Sequence, residues 1–254
     1  MSLQPEGVKK ALADRSLDRF YTDASLEALL RFVHQMLEIN KTLNLTRWTG
    51  EEEVLNFHIL DSCVSLPLIE ELGGGPREGD PSKIGPKAQK WMDLGSGCGF
   101  PGAALMGAFP NFEVTLLDSV GKKIKALREC ILAAGWKGSA LQARAEELGR
   151  NPATREKWDG ITARAVADLP VLLEYAIPLL KVGGYLVNWM TEDQMKDVDR
   201  SRLALAALQA KIVKTRSYSI PGFNQARALL VVEKMGKTPD LYPRPSGQAV
   251  KKPL

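Results

Sequence analysis

Histidine is nearly missing from this chain of 254 residues, and cysteine is scarce: two of the first and three of the second. The cysteines (Cys63, Cys98 and Cys130) form no C-x-x-C pair, and His34 and His58 make no cluster with them. That spacing argues against a zinc site, sets the expectation of no metal, and fits a reducing, cytoplasmic setting. Each thiol then reads as a small buried or half-buried hydrophobe. No apolar run approaches the length of a membrane span and no signal-like segment opens the chain, so no membrane partner is expected. A large charge excess is also absent. The net charge of +4 permits a nucleic-acid partner without arguing for one. Apolar and charged contents of 44% and 25% are ordinary globular values, and the length suits one α/β domain with a modest extension.

What the chain does have is glycine in one telling place. Trp91-Met92-Asp93-Leu94 reads as a buried strand, and Gly95-Ser96-Gly97-Cys98-Gly99 breaks it at once. Phe100-Pro101-Gly102 follows, with proline where a first helical turn would begin. Glycine at every second position lets main chain meet a ligand with no Cβ between them, beside the free N–H groups of a helix start. By itself this is a tight turn of any α/β protein. A second strand, Phe112 to Leu117, ends in Asp118 just over twenty residues on, where a carboxylate can take both hydroxyls of a ribose. A dinucleotide fingerprint wants glycine at the sixth place, where this chain has Phe100, and Phe100-Pro101 would crowd a pyrophosphate. A ligand with ribose and adenine but no phosphate fits better. S-adenosylmethionine is such a ligand, and Asp93 suits its amino-acid end.

Along the chain, Leu26, Leu29, Leu30, Val33 and Leu37 predict an amphipathic helix from Ser25 to about Ile39, broken at Asn40-Lys41-Thr42-Leu43-Asn44. A second helix is expected from about Glu51 through Leu66, with His58 and Asp61 on one side. Gly73 to Pro86 reads as a connector. Strands then alternate with helices: after Asp118, a helix from Gly121 to Ala134; strands at 139–144, 158–165 and 185–190; a long helix at 192–210; and a closing antiparallel pair near 211–220 and 227–235, the last strand entering between neighbours. The expected fold is α/β and Rossmann-like: a mixed, mainly parallel seven-stranded sheet with helices on both faces and an N-terminal helical extension. Expected boundaries are 1–85 for extension and connector, 86–237 for the core and 238–254 for a basic tail.

Ligands of such sheets bind at the carboxyl ends of the strands. Gly95, Gly97, Gly99 and Phe100 are therefore cofactor candidates, with Asp118 for the ribose and Ser119 and Val120 flanking an adenosine. Ala145 and Glu146 would cover the adenine, a Glu146 backbone N–H serving a ring nitrogen. Arg164 follows an apolar strand and has two readings. It pairs with Asp168 or Asp159, or it holds a cofactor carboxylate or substrate phosphate. Lys122, Lys123, Lys125 and Arg128 read first as a solvated helix face, although Lys122 and Lys123 sit near the mouth of the site.

Missing motifs narrow the chemistry. No Pro-Cys dipeptide is present for attack on cytosine C5, and the fourth strand ends in Ala163-Arg164-Ala165-Val166 rather than the Asn/Asp-Pro-Pro-aromatic motif that serves exocyclic amines. Both histidines lie in the extension. An acceptor with no proton to lose, such as guanine N7, suits a site without an evident base.

These segments resemble a known family. Asp93 through Gly102, Leu117-Asp118-Ser119 with Gly121-Lys122-Lys123, Arg144-Ala145-Glu146 and Thr162-Ala163-Arg164-Ala165 are similar to the bacterial small-subunit rRNA guanine-N7 methyltransferases (RsmG/GidB). So are Asn40 through Thr46, His58-Ile59-Leu60-Asp61-Ser62, Tyr242-Pro243-Arg244 and Lys251-Lys252-Pro253-Leu254, and the likeness runs from about residue 38 to the end. The resemblance implies a class I, S-adenosyl-L-methionine-dependent enzyme. It would act on a guanine in the 530 loop of 16S rRNA, within the small ribosomal subunit or an assembly intermediate, as a monomer. It also implies cofactor contacts at Gly95, Phe100, Asp118, Ser119, Val120, Ala145, Glu146 and Arg164. Asn44, His58 and Asp61 would lie on the face joining extension to core near the substrate, with Lys122, Lys123 and Arg144 beside them and the basic tail toward RNA. One departure stands out. The family places a lysine near the end of the fifth strand, where this chain reads Val187-Asn188-Trp189-Met190-Thr191, leaving Trp189 or Lys196 as substitutes. The rival readings are a small-molecule methyltransferase, a ribosome-binding assembly protein with a vestigial pocket and, more remotely, a dehydrogenase.

Overall fold

The computed structural model describes residues 3–74, 89–196, 198–223 and 226–254. The expected connector lies, from Gly75 onward, outside them.

Seven strands form one sheet: β1 (Gln89–Leu94), β2 (Phe112–Asp118), β3 (Ser139–Gln142), β4 (Trp158–Arg164), β5 (Leu180–Thr191), β6 (Ala210–Tyr218) and β7 (Arg227–Lys234). Their order is β3-β2-β1-β4-β5-β7-β6, with the first five parallel and β7 antiparallel to both β5 and β6. The last strand does enter between neighbours. Alternation of side chains splits each strand between two cores. Trp91, Leu116 and Val187 pack on one face, while Met92, Leu117 and Leu186 pack on the other.

The first face is shared with the N-terminal helices α1 (Pro5–Ala13) and α2 (Asp23–Leu43), and with α3 (Gly102–Ala108) and α4 (Gly121–Ala134). Phe32 of α2 stacks on Trp136 at 5.6 Å and meets Phe100 edge-on at 6.0 Å, so the extension is continuous with the core beneath the glycine turn. The second face carries α5 (Ala145–Arg150) and α6 (Leu169–Ala176).

Three elements differ from expectation. A capping box of Thr22 and Ser25 opens α2, which runs four residues beyond Ile39 because Asn40 does not break it. The Asn40 amide instead donates to the Thr46 carbonyl (3.0 Å) and accepts from its N–H (2.8 Å), clasping the following loop while its own backbone stays helical. The single helix expected over 51–66 is segmented, with a wide π turn over Leu55–Leu60, a feature common where helices carry functional groups. The long helix expected at 192–210 is three short pieces, Glu192–Lys196, Val198–Ser201 and Arg202–Ala207.

Candidate active site

At the end of β1 the chain turns sharply over β2: the Ser96 N–H donates to the Leu117 carbonyl at 2.9 Å, and the Ser96 hydroxyl to the Asp93 carbonyl at 2.8 Å. Two glycines of the turn are sterically required. Gly99 has φ +100°, and a Cβ there would stand 2.5 Å from the Phe32 ring. Gly95 has φ +71°, and a Cβ there would stand 2.8 Å from Val166 of the turn after β4. Both lie where an L side chain is strained as well as crowded.

Asp118 ends β2 directly beside this turn and is 8% exposed. One carboxylate oxygen accepts from the Gly97 N–H (3.2 Å) and the other from the Val120 N–H (2.9 Å), with the Lys123 ammonium 3.6 Å away. Each oxygen carries two lone pairs, so Asp118 keeps acceptor capacity toward the open side. That side is a cavity of about 300 Å³, lined by Gly95, Asp118, Ser119, Val120, Ala145 and Glu146, among others. Val120 is 44% exposed on its rim, which leaves an apolar surface free for a flat ligand.

Glu146 stands in the first turn of α5, where backbone N–H groups lack intrahelical partners. Its side chain is buried and accepts from the Gly247 N–H at 3.2 Å, so the carboxylate faces the C-terminal segment rather than solvent. Arg244 of that segment donates to both oxygens of buried Glu174 (2.9 and 3.1 Å from Nε), and Arg150 and Arg155 donate to carbonyls of Pro243 and Tyr242. The tail is thereby strapped to α5 and α6.

Arg164 is corrected on its pairing. It makes no pair with Asp168 or Asp159, the latter being taken by Lys181 at 2.7 Å, and it does not line the cavity. Its guanidinium donates to Asp61 (2.8 Å) and to the carbonyls of Phe57 (3.0 Å) and Phe100 (3.3 Å). Asp61, 1% exposed, also accepts from the Tyr218 hydroxyl at 2.7 Å and pairs with Arg227 at 3.1 Å, while its carbonyl accepts from the Trp189 indole at 2.7 Å. Burial and the Asp61 charge push the Tyr218 hydroxyl pKa far up, so it remains a donor. This network fastens the extension to β4, β5, β6 and β7. It also uses up Trp189, which is buried and therefore no substitute for a surface lysine; Lys196 pairs with Asp193.

Phe100 points away from the cavity into the joint. His58 stacks on it at 5.5 Å, accepts or donates at the Thr46 hydroxyl (2.9 Å) and lies 3.8 Å from the Cys98 sulfur. Burial, with the nearby Arg164 charge, pulls the His58 pKa down to about 3, so the ring is neutral at working pH. Asp93 is 1% exposed. One oxygen accepts from the Thr162 hydroxyl at 2.8 Å and the other, Oδ2, has no partner, and burial lifts its pKa to about 6.

Of the sequence candidates, Gly95, Asp118, Ser119, Val120, Lys123, Arg144, Ala145 and Glu146 meet around one cavity. Gly97 contributes its N–H to Asp118, whereas Gly99, Phe100, His58, Asp61 and Arg164 sit in the wall behind the turn. Asn44 is the left-handed cap of α2, exposed, and Lys122 is exposed on α4. Sequence reasoning missed Val166 and Tyr175, which complete the cavity, and an aromatic group where the extension meets the segment before β7. There Trp48, Phe57 and Phe223 pack in series (5.0 and 4.3 Å), with Arg47 over Trp48 at 4.1 Å and Arg227 over Phe223 at 4.3 Å. The Arg-Trp dipeptide Arg47-Trp48 was the available signal.

Comparison with known proteins decides the lineage: the GidB family, described as rRNA small subunit methyltransferase G, matches residues 25–229. The chain belongs to this family. Named relatives of the rRNA small subunit methyltransferase G family span it nearly end to end. A protein of that name from Alkaliphilus metalliredigens is 36% identical over 91% of this chain and 92% of its own length. Another from Lactobacillus johnsonii is 34% identical over 99% and 100%, and one from Acetivibrio thermocellus is 36% identical over 96% and 90%. The family is one of methyltransferases, and the doubly wound sheet with its glycine turn is the architecture that this chemistry uses here.

Proposed function

We propose that this chain transfers a methyl group from S-adenosylmethionine to N7 of a guanine in the 530 loop of 16S rRNA, acting as a cytoplasmic monomer on the small ribosomal subunit or an assembly intermediate. The observation that carries the reading is the cavity at the carboxyl ends of β1 to β4, with Asp118 on its wall still able to accept hydrogen bonds. Asp118 would grip the ribose hydroxyls, each a charge-assisted bond of about 1.5–3 kcal/mol. Val120 and Ala145 would sandwich the adenine, with a Glu146 N–H on a ring nitrogen. S-adenosylmethionine, when bound, supplies an activated methyl on a sulfonium; the chain's work is alignment and electrostatics.

Guanine N7 fits the residues at hand because it needs no proton removed. His58 is buried and already bonded to Thr46, and all three cysteines are buried. RNA would approach over the half-buried aromatic group of Trp48, Phe57 and Phe223, where an unstacked base can lie beside Trp48 and the Arg47 plane. In this reading residues 86–237 hold the cofactor, 1–85 frame the acceptor side, and 238–254 brace the adenine end. No helix among the described residues is long and apolar enough to cross a membrane.

The test is direct. The protein is incubated with labelled methyl donor and small-subunit RNA from cells lacking it, and the label is mapped. A single labelled guanine N7 in the 530 loop is expected; label elsewhere, or on a free metabolite alone, overturns the reading.

A further inference from the structure

A second cavity, also of about 300 Å³, opens between the carboxyl ends of β4 and β5. It adjoins the first: Ala165 and Val166 line one, and the next two residues, Ala167 and Asp168, line the other. Its apolar walls come from Leu169, Pro170 and Met190. Two polar groups in it are unused by the fold. Asn188, on β5 opposite Ala163, is 6% exposed, and among the described residues its amide makes no hydrogen bond. Nor is the amide sealed among the fully enclosed partnerless atoms, so it faces the cavity. Asp168 holds the N-cap position of α6, yet its side chain makes no capping bond. Carboxylates at that position ordinarily cap. Asn188 is thus held unpartnered by β5, and Asp168 stands exposed at the rim with its carboxylate uncommitted to the fold.

We propose that this cavity receives the target guanine and that Asp168 and Asn188 read its Watson–Crick edge. The inference rests on the reading of the chain as a guanine methyltransferase. Guanine presents O6 as acceptor and N1–H and N2–H as neighbouring donors. The Asn188 amide donates to O6, the Asp168 carboxylate accepts from N1 and N2, and Leu169, Pro170 and Met190 cover the ring faces. N7 lies on the other edge and stays uncontacted, as an atom about to be methylated must. Adenine is refused: even with the Asn188 amide turned to accept from its N6 amine, its N1 lone pair faces a carboxylate. Splayed bases of RNA are ordinarily read on this edge.

Inosine, which keeps O6, N1–H and N7 but lacks the N2 amine, separates the two roles. Single-turnover methyl transfer is measured on small-subunit RNA transcripts carrying guanine or inosine at the methylated position, for the wild type, Asp168→Ala and Asn188→Ala. The wild type is expected to prefer guanine by about tenfold. Asp168→Ala should bring that ratio close to one, with affinity for S-adenosylmethionine unchanged in calorimetry. Asn188→Ala should slow both substrates by a similar factor and keep the ratio. A merely structural role would not split the variants in this way. A guanine-to-inosine ratio that Asp168→Ala leaves unchanged, or a wild type without preference, overturns the proposal. No methylation of small-subunit RNA by the wild type would instead bring down the functional reading on which it rests.

Discussion

Arg164, at the end of β4, donates to Asp61 of the N-terminal extension across 2.8 Å, and 103 residues of sequence separate the two. Asp61 is the only carboxylate among the described residues that faces both Arg164 and Arg227, and all three side chains are mostly buried. Removing it leaves two guanidiniums without their counter-charge. Asp61→Ala is expected to lower unfolding free energy by about 3–5 kcal/mol, as breaking a buried pair does. Urea titration checks this, and a loss under about 1 kcal/mol would show the network to be weakly coupled.

Asp118 and Lys122 sit four residues apart on opposite duties. Asp118→Ala should raise the dissociation constant for S-adenosylmethionine at least tenfold in calorimetry, about 1.4 kcal/mol or more. Lys122, exposed, should leave that constant alone when changed to Ala while reducing the salt slope of RNA binding by about 0.7. Lys123, which stands 3.6 Å from Asp118, is left out of this variant. Equal slopes for wild type and Lys122→Ala would remove that lysine from the RNA footprint.

His58 makes folding sensitive to acid. Its pKa is about 3 in the folded protein against 6.5 ordinarily, so between those values the unfolded chain binds a proton that the native chain refuses. Stability from this group is complete above about pH 6.5 and falls as pH drops, by up to about 1.4 kcal/mol per pH unit. Asp93 acts oppositely. Its folded pKa, about 6 against 3.8, makes the native chain the better proton binder between those values, so its contribution grows on acidification. His58→Gln should therefore flatten or invert the loss of stability between pH 6.5 and 4, measured by denaturant midpoints. Parallel pH profiles for wild type and variant would contradict a buried neutral imidazole.

Trp48→Ala is expected to weaken binding to single-stranded regions of small-subunit RNA by about 1–3 kcal/mol, the worth of one base stacked on an aromatic ring. Affinity for S-adenosylmethionine should not move. Filter binding and calorimetry on the same preparation distinguish the two, and unchanged RNA affinity would leave the ring as mere packing for Phe57.

Much of this molecule was readable from local pattern. Short apolar runs alternating with helices located the strands, and the Gly95-x-Gly97-x-Gly99 spacing with Asp118 at the next strand end located the cavity. What could not be read is set by contacts distant in sequence. The partner of Arg164 was sought nearby at Asp159 and Asp168, because nothing local indicates that Asp61 is brought to it. Loop position says nothing of which way the Phe100 ring turns, and Phe32 and His58 draw it inward. Asn40 looked like a helix breaker by residue type, yet its amide mimics a backbone partner for Thr46. The anchors of the tail, Glu146 and Glu174, lie on helices 101 and 70 residues away, out of reach of local pattern.

Through Gly247, the strap that begins at Arg244 ties the far end of the polypeptide to α5, a helix lining the cavity. Whatever steadies that helix must also steady the strap, by simple linkage. Saturating S-adenosylmethionine should consequently slow tryptic cutting after Lys251, exposed just past the strap, turning a routine digestion ladder into a gauge of occupancy.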